Sequence, residues 1–291
     1  MWKAISQLLA EQFGSYYTIK SKTPIEDGEM HQAWIIDDGN IPVFVKINDK
    51  AYRSMFRAEA DQLELLAKSG TVRVPRVYGV GCTENISFLL LESLSLTPIP
   101  SNKMAELGAQ LASLHTSGSN KEYGLDYDTW LGPVYQPNAW AKNWSTFFSE
   151  NRIGWQLQIC KEKNIYFGHF EDIISAVAFH LSKYQPIPAL LHGAFYHKNF
   201  GICSNENEGN EIVLYDPACY WGDAECDLAL AELFNDLTPE FYQAYNGINP
   251  LYKGYQQRRP LYQLYYLLNF SHRFGGRYIK QAADIIQMLE E

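Results

Sequence analysis

Two stretches, Leu190-Leu191-His192-Gly193-Ala194-Phe195-Tyr196-His197-Lys198-Asn199 and Leu214-Tyr215-Asp216-Pro217-Ala218, decide how this chain reads. His192 and Asn199 stand at the two ends of a polar loop, and Asp216 follows the apolar, strand-like run Ile212-Val213-Leu214-Tyr215. A phosphoryl-transfer loop of the form His-x-Asp-x-x-x-x-Asn sets a base at the acceptor hydroxyl and an amide oxygen on magnesium. A second aspartate, shortly after and on a strand, grips the metal that bridges the ATP phosphates. Magnesium takes hard oxygen ligands, one or two of them from protein, so Asn199 and Asp216 are its candidate ligands. The position of the base is Ala194.

Bulk properties bound the answer. The chain has 291 residues, enough for two sizeable cores, with 46% hydrophobic and 20% charged residues. A net charge of −9 argues against a general nucleic-acid binder, which shows a basic face. No apolar run approaches the ~18 residues of a membrane span, so no membrane role is expected. The start, Met1–Phe13, reads as an amphipathic helix rather than a signal peptide. Five cysteines without a CxxC pair fit reduced thiols and a cytoplasmic setting.

Outward from the loop, the first third is β-rich. Strands are predicted at 16–20, 33–36, 43–47, 72–78 and 86–91, with Asp38-Gly39-Asn40 as a hairpin turn and one helix, 53–68, inserted between the third and fourth. A Leu/Ser/Pro-rich segment at 93–100 is the expected hinge. Helices are then predicted at 103–115, 139–163, 170–184, 227–234, 239–245, 260–270 and 276–290, interrupted by the β-rich segment 190–216. The fold class that follows is α+β: a two-lobed, protein-kinase-like fold. Its parts are a nucleotide-binding N-lobe, 1–92, with a small antiparallel sheet and one helix, and a larger, mainly helical catalytic and substrate lobe, 101–291.

In Pro42-Val43-Phe44-Val45-Lys46-Ile47 the lysine suits an ATP-phosphate contact, and Glu59, 13 residues on in the next helix, could hold it extended. Lys46 alone reads as a surface lysine and Glu59 alone as a solvated helix face. The candidate phosphate-covering turn, Gly28-Glu29-Met30-His31-Gln32, holds a single glycine and would have to use backbone N–H groups. His192 reads as a structural, hydrogen-bonding histidine. Asp227 stands where a helix should start, an N-cap position compatible with a supporting role at the site.

The run Asp216-Pro217-Ala218-Cys219-Tyr220-Trp221-Gly222-Asp223-Ala224-Glu225-Cys226-Asp227-Leu228-Ala229 resembles the signature of the fructosamine kinase (ketosamine-3-kinase) family, related to aminoglycoside and choline phosphotransferases. Tyr123–Asp126, Leu131-Gly132, Gln136–Asn138 with Trp144, Phe147-Phe148 leading to Arg152, Arg259–Tyr265, Leu267–Asn269 and Phe274–Gly276 are similar as well. The resemblance implies that Lys46 binds ATP phosphates, Glu59 pairs with it, Asn199 and Asp216 hold Mg²⁺, and Glu92 with its neighbours forms the adenine-contacting hinge. It further implies transfer of the γ-phosphate to the sugar 3-hydroxyl of a ketosamine such as fructosyl-lysine on a small amine or a glycated protein, a deglycation. The chain departs from the family at Ala194, where an aspartate is expected, and at Tyr196 and Lys198, in place of Trp and Gly. Three explanations follow: a deliberate substitution, a natural loss of catalysis leaving a nucleotide-binding protein, or another group serving as base, His197 being the nearest. A related kinase for another hydroxyl, aminoglycoside or choline, is a further alternative.

Overall fold

The computed structural model describes residues 1–25, 30–205 and 209–290, and the chain divides into two compact units. The first comprises Met1–Ile99 and Phe200–Pro217, the second Pro100–Asn199 and Ala218–Glu291.

The first unit is built on a five-stranded antiparallel sheet. Its strands are β1 (Ser21–Ile25), β2 (Gln32–Asp37), β3 (Pro42–Asp49), β4 (Val77–Cys82) and β5 (Ile86–Glu92), in the order β1-β2-β3-β5-β4. Helix α1 (Trp2–Phe13) lays Ile5 and Leu9 onto Val43, Val45 and Ile47 of β3 and Phe88 and Leu90 of β5. Side chains alternate along a strand. Because Val43, Val45 and Ile47 face α1, Lys46 is sent to the opposite face, where α2 (Arg53–Lys68) runs. A short strand, β6 (Leu96–Thr97), later pairs with the hairpin described below.

The predicted helices 2–13 and 53–68 stand as read. Two strand predictions slip along the chain: 16–20 is irregular and the strand begins at Ser21, and 72–78 is replaced by Val77–Cys82. The first slip has a visible cause. Tyr17 is buried as a plug, its hydroxyl donating to the Ile41 carbonyl at 2.7 Å, so its apolar pattern reports a core contact rather than a strand.

The second unit is mainly helical. After α3 (Met104–Thr116), the hairpin β7 (Thr129–Leu131) and β8 (Val134–Gln136) precedes a continuous helical stretch. That stretch comprises α4 (Trp144–Thr146), a π-helical segment (Phe147–Gly154) and α5 (Trp155–Glu162). The π-helical segment seats Arg152 fully inside the core. There its guanidinium lies 4.0 Å from the Tyr220 ring centroid and donates to the Pro137 carbonyl at 2.7 Å and Asn138 Oδ1 at 2.6 Å. Then come α6 (Phe170–Leu181) and β9 (Ala189–Leu190).

At Phe200 the chain enters the first unit as a hairpin, β10 (Phe200–Asn205) and β11 (Gly209–Leu214), with Phe200 opposite Leu214 and β10 paired to β6. This ladder is why 200–217 groups with the sheet unit rather than with the helical residues around it in sequence. The second unit closes with β12 (Trp221–Gly222), α7 (Glu225–Glu232), α8 (Pro239–Ile248), α9 (Tyr255–Phe274) and α10 (Arg277–Glu290). No helix among the described residues is long and apolar enough to cross a membrane.

Candidate active site

In the first unit one ammonium is shared by two carboxylates. Lys46 Nζ lies 2.7 Å from Glu59 Oε1 and 2.5 Å from Asp216 Oδ1, and the lysine is only 6% exposed. Burial alone would push the ammonium toward neutrality, but Asp216 and Glu59 more than offset it and the Lys46 pKa ends above its ordinary value. Glu59 goes the same way: burial raises its pKa, and Lys46 compensates only in part. The helix sets this geometry, since Glu59 shares a face with Phe56 and Leu63, three residues before and four after, both buried.

Asp216 is half exposed and has φ +52°, left-handed backbone that few non-glycine residues adopt. A residue before proline is ordinarily held extended, so the surrounding structure holds this conformation against local preference, and such outliers cluster at functional positions. His31 lies by the same lysine. Burial, then Lys46, lower its pKa to about 4, its ring packs 5.5 Å from Phe56, and its Nδ1 is buried without a partner. Gly28, the sequence candidate in the covering turn, lies outside the described residues. The Glu92 carboxylate accepts from Arg73 at 2.6 Å and from the Arg76 N–H at 3.0 Å, which pins the end of β5.

In the second unit the loop 192–199 hangs from one buried carboxylate. Asp227 is fully buried and accepts the His192 N–H at 2.8 Å, the Gly193 N–H at 2.8 Å and His115 Nε2 at 3.1 Å. The expected N-cap role of Asp227 is therefore corrected. Residue 227 is the third residue of α7, and it is Asp223 that accepts the Glu225 N–H at the helix start. Gly193 has φ +77°, and a Cβ there would stand 1.9 Å from the Ala218 carbonyl oxygen, so only glycine fits. The Ala194 methyl is buried, and the Ala194 carbonyl accepts from Asn199 Nδ2 at 2.9 Å. If Asn199 ligates a metal, Oδ1 is the atom that does so. His192 is buried, in keeping with a structural histidine. His197 is held by Asp236, which accepts both its backbone N–H and its Nδ1 at 2.9 Å.

Sequence reading missed Asp236 and His115, and missed what Asp227 does, because their partners lie 39 and 112 residues away. Nothing local marks them. Among the described residues no cluster of three or more His, Cys, Asp or Glu could hold a metal, and the cysteines are free thiols.

The fructosamine kinase family model matches residues 1–291. The chain belongs to the fructosamine kinase family. It is 58% identical over 98% of both chains to a Pasteurella multocida protein named a probable ketoamine kinase. It is 42% identical, over 99% of both, to an Escherichia coli K12 protein of the same description. Its fold matches the crystal structure of a protein named "Putative fructosamine-3-kinase" from Haemophilus somnus 129PT. That match has a TM-score of 0.94 and 50% identity, and covers 100% of this chain and 98% of the other. The choline kinase LicA from Streptococcus pneumoniae, at 15% identity and a TM-score of 0.63, shares the fold, covering 100% of this chain and 99% of its own. The architecture is thus the α+β, protein-kinase-like one, and the family is one of ATP-dependent phosphotransferases.

Proposed function

We propose that this protein is a cytoplasmic ketosamine 3-kinase, moving the γ-phosphate of ATP to the sugar 3-hydroxyl of a ketosamine such as fructosyl-lysine. The observation that carries this reading is Lys46, buried between Glu59 and Asp216, in a chain of this family. An ammonium kept charged by two carboxylates suits a contact to ATP phosphate oxygens, and Glu59 fixes its direction. Asp216 and Asn199 fit a hard divalent cation such as Mg²⁺, since a carboxylate and an amide oxygen are the donor type it takes. When bound, Mg²⁺ neutralises phosphate charge. Asp227 fixes the loop that carries Asn199, and the Glu92 region serves as the adenine-contacting hinge.

Ala194 sets the rate. Its methyl group cannot accept the acceptor's proton, and general-base assistance is worth about 10²–10⁴-fold. Because phosphoryl transfer rests mostly on positioning and electrostatics, Mg-ATP binding survives this loss better than turnover does. The buried methyl also favours a second reading, a nucleotide-binding protein that turns over too slowly to matter. An acceptor panel separates the readings: fructosyl-lysine, an aminoglycoside and choline, each with Mg-ATP, followed by ADP release and by ³¹P NMR. Phosphate on the 3-hydroxyl of fructosyl-lysine supports the proposal. Phosphate on another acceptor alone sinks the substrate assignment, and binding of Mg-ATP without any transfer gives the second reading the field.

A further inference from the structure

A pocket of about 460 Å³ in the second unit stands apart from the residues assigned above. It is lined by residues of the α7 end, the turn after it, α8 and the start of α9, among them Glu232, Asn235, Leu237, Tyr242, Tyr255 and Arg259. Its size falls in the range of small-molecule sites, ~300–1,000 Å³. The turn is made by Asn235, whose φ of +55° ends α7, asparagine being one of the few side chains that tolerate it.

This turn is a wall with two sides. Phe234 packs its ring 5.1 Å from Tyr196 and 5.4 Å from His197, and Asp236 holds His197 by two hydrogen bonds, so these residues face the 192–199 loop. Asn235 and Leu237, alternating with them, line the pocket. The pocket and the loop where the acceptor hydroxyl must arrive are therefore the two sides of one four-residue segment.

Of the pocket's ion pair the cation is the more open member: the Arg259 side chain is 38% exposed and that of Glu232 13%. Glu232 is spent: it accepts from Tyr242 Oη, from Tyr255 Oη at 2.7 Å and from Arg259 Nη1 at 3.0 Å. A carboxylate with three donors has little left for a cationic ligand, and here it orients the guanidinium instead. Arg259 has donors in a fixed fork; Nη1 goes to Glu232, while Nε is buried and has no partner. A buried orphan N–H is costly and calls for an explanation. The rest of the side chain, 38% exposed, lines the pocket, and a planar guanidinium oriented by a neighbouring carboxylate is a standard recognition element for a ligand carboxylate.

We propose that this pocket receives the amine-derived end of the acceptor and that Arg259 binds a carboxylate there, so that ketosamines of α-amino acids are the preferred class. The inference rests on the ketosamine reading above and deepens it from the sugar to the amine. It gives Arg259 a role in specificity, with Glu232 as its positioning residue.

The test compares fructosyl-lysine with fructosyl-cadaverine, which differs only by lacking the carboxylate. Binding is measured by calorimetry, without turnover, and phosphorylation is measured separately. The expected result is a preference of about 10–100-fold for fructosyl-lysine, from the 1.5–3 kcal/mol of a charged hydrogen bond. In R259Q the two ligands come within about two-fold of each other, and R259K keeps part of the preference. Thermal midpoints of both variants check folding. Equal binding of the two ligands by the unaltered chain overturns the inference, as does an R259Q protein that keeps the full preference. If the preference is seen but no phosphate is transferred, the pocket stands and the kinase reading falls. If both ligands are phosphorylated equally well and R259Q changes nothing, the reverse holds. If neither ligand binds, both fall.

Discussion

Replacing Asp227 with asparagine tests whether one carboxylate holds the 192–199 loop. Oδ1 takes the Gly193 N–H at 2.8 Å, while Oδ2 takes the His192 N–H at 2.8 Å and His115 Nε2 at 3.1 Å, all with no solvent exposure at the aspartate. An amide keeps one acceptor and turns the other into a donor, so either flip leaves a backbone N–H facing an NH₂. A stranded buried donor costs about 1–3 kcal/mol, and the surviving bonds lose the part of their strength that comes from charge. The sum is about 3–4 kcal/mol, partly relieved because a buried charge disappears as well. For a chain of this length that is about a 5–7 °C fall in thermal midpoint. Urea unfolding gives the free energy, and hydrogen exchange at residues 192–194 shows whether the loop is what loosens. A loss under 1 kcal/mol, or exchange unchanged at those amides, would refute the reasoning.

Three further outcomes follow from the same contacts. Gly193→Ala puts a methyl group 1.9 Å from the Ala218 carbonyl oxygen in backbone of positive φ, so the variant should lose several kcal/mol or fail to accumulate as folded protein, read by circular dichroism and soluble yield. Lys46→Met should weaken Mg-ATP binding about 10–100-fold by calorimetry, from the loss of a charged contact, whereas Glu59→Gln, which keeps the lysine, should cost less. His272 is buried against Gln156 Oε1 at 2.8 Å, and burial, then Lys163 and Arg273, lower its pKa to about 4. Its unfolded value is ~6.5. The unfolded chain therefore binds the extra proton between these values, and the contribution is complete above pH 6.5 and lost as pH falls toward 4, up to about 3 kcal/mol. His272→Gln should flatten that part of the stability profile in urea titrations from pH 4 to 7.

Much of the scaffold was legible because it depends on local pattern. The apolar spacing of 53–68 marks a helix with the bounds observed, and the Asp38-Gly39-Asn40 turn fixes the hairpin around it, with Gly39 at φ +92°. The pairing of Lys46 with Glu59 could be suspected because strand and helix are consecutive, which turns a 13-residue separation into a spatial neighbour. What stayed hidden depends on distant partners. Asp227 looks like a helix cap in sequence, yet its acceptors are spent on residues 34, 35 and 112 positions away. The Arg259 pocket left no local signal either, since a guanidinium on a tyrosine-rich helix reads as surface until Glu232, 27 residues earlier, is seen to hold it. Tyr17 misled for the opposite reason, as β-like residues next to each other also serve to plug a core.

The central proposal is that this member of the fructosamine kinase family is a ketosamine kinase whose turnover is limited at residue 194. The direct measurement is ATP-dependent phosphorylation of fructosyl-lysine by this chain and by Ala194→Asp, side by side. The account predicts 3-phosphorylation by the aspartate variant at a rate about 10²–10⁴-fold above that of the unaltered chain, with Mg-ATP affinity similar in the two. Equal rates would contradict it, and so would an aspartate variant that binds Mg-ATP and fructosyl-lysine yet transfers no phosphate.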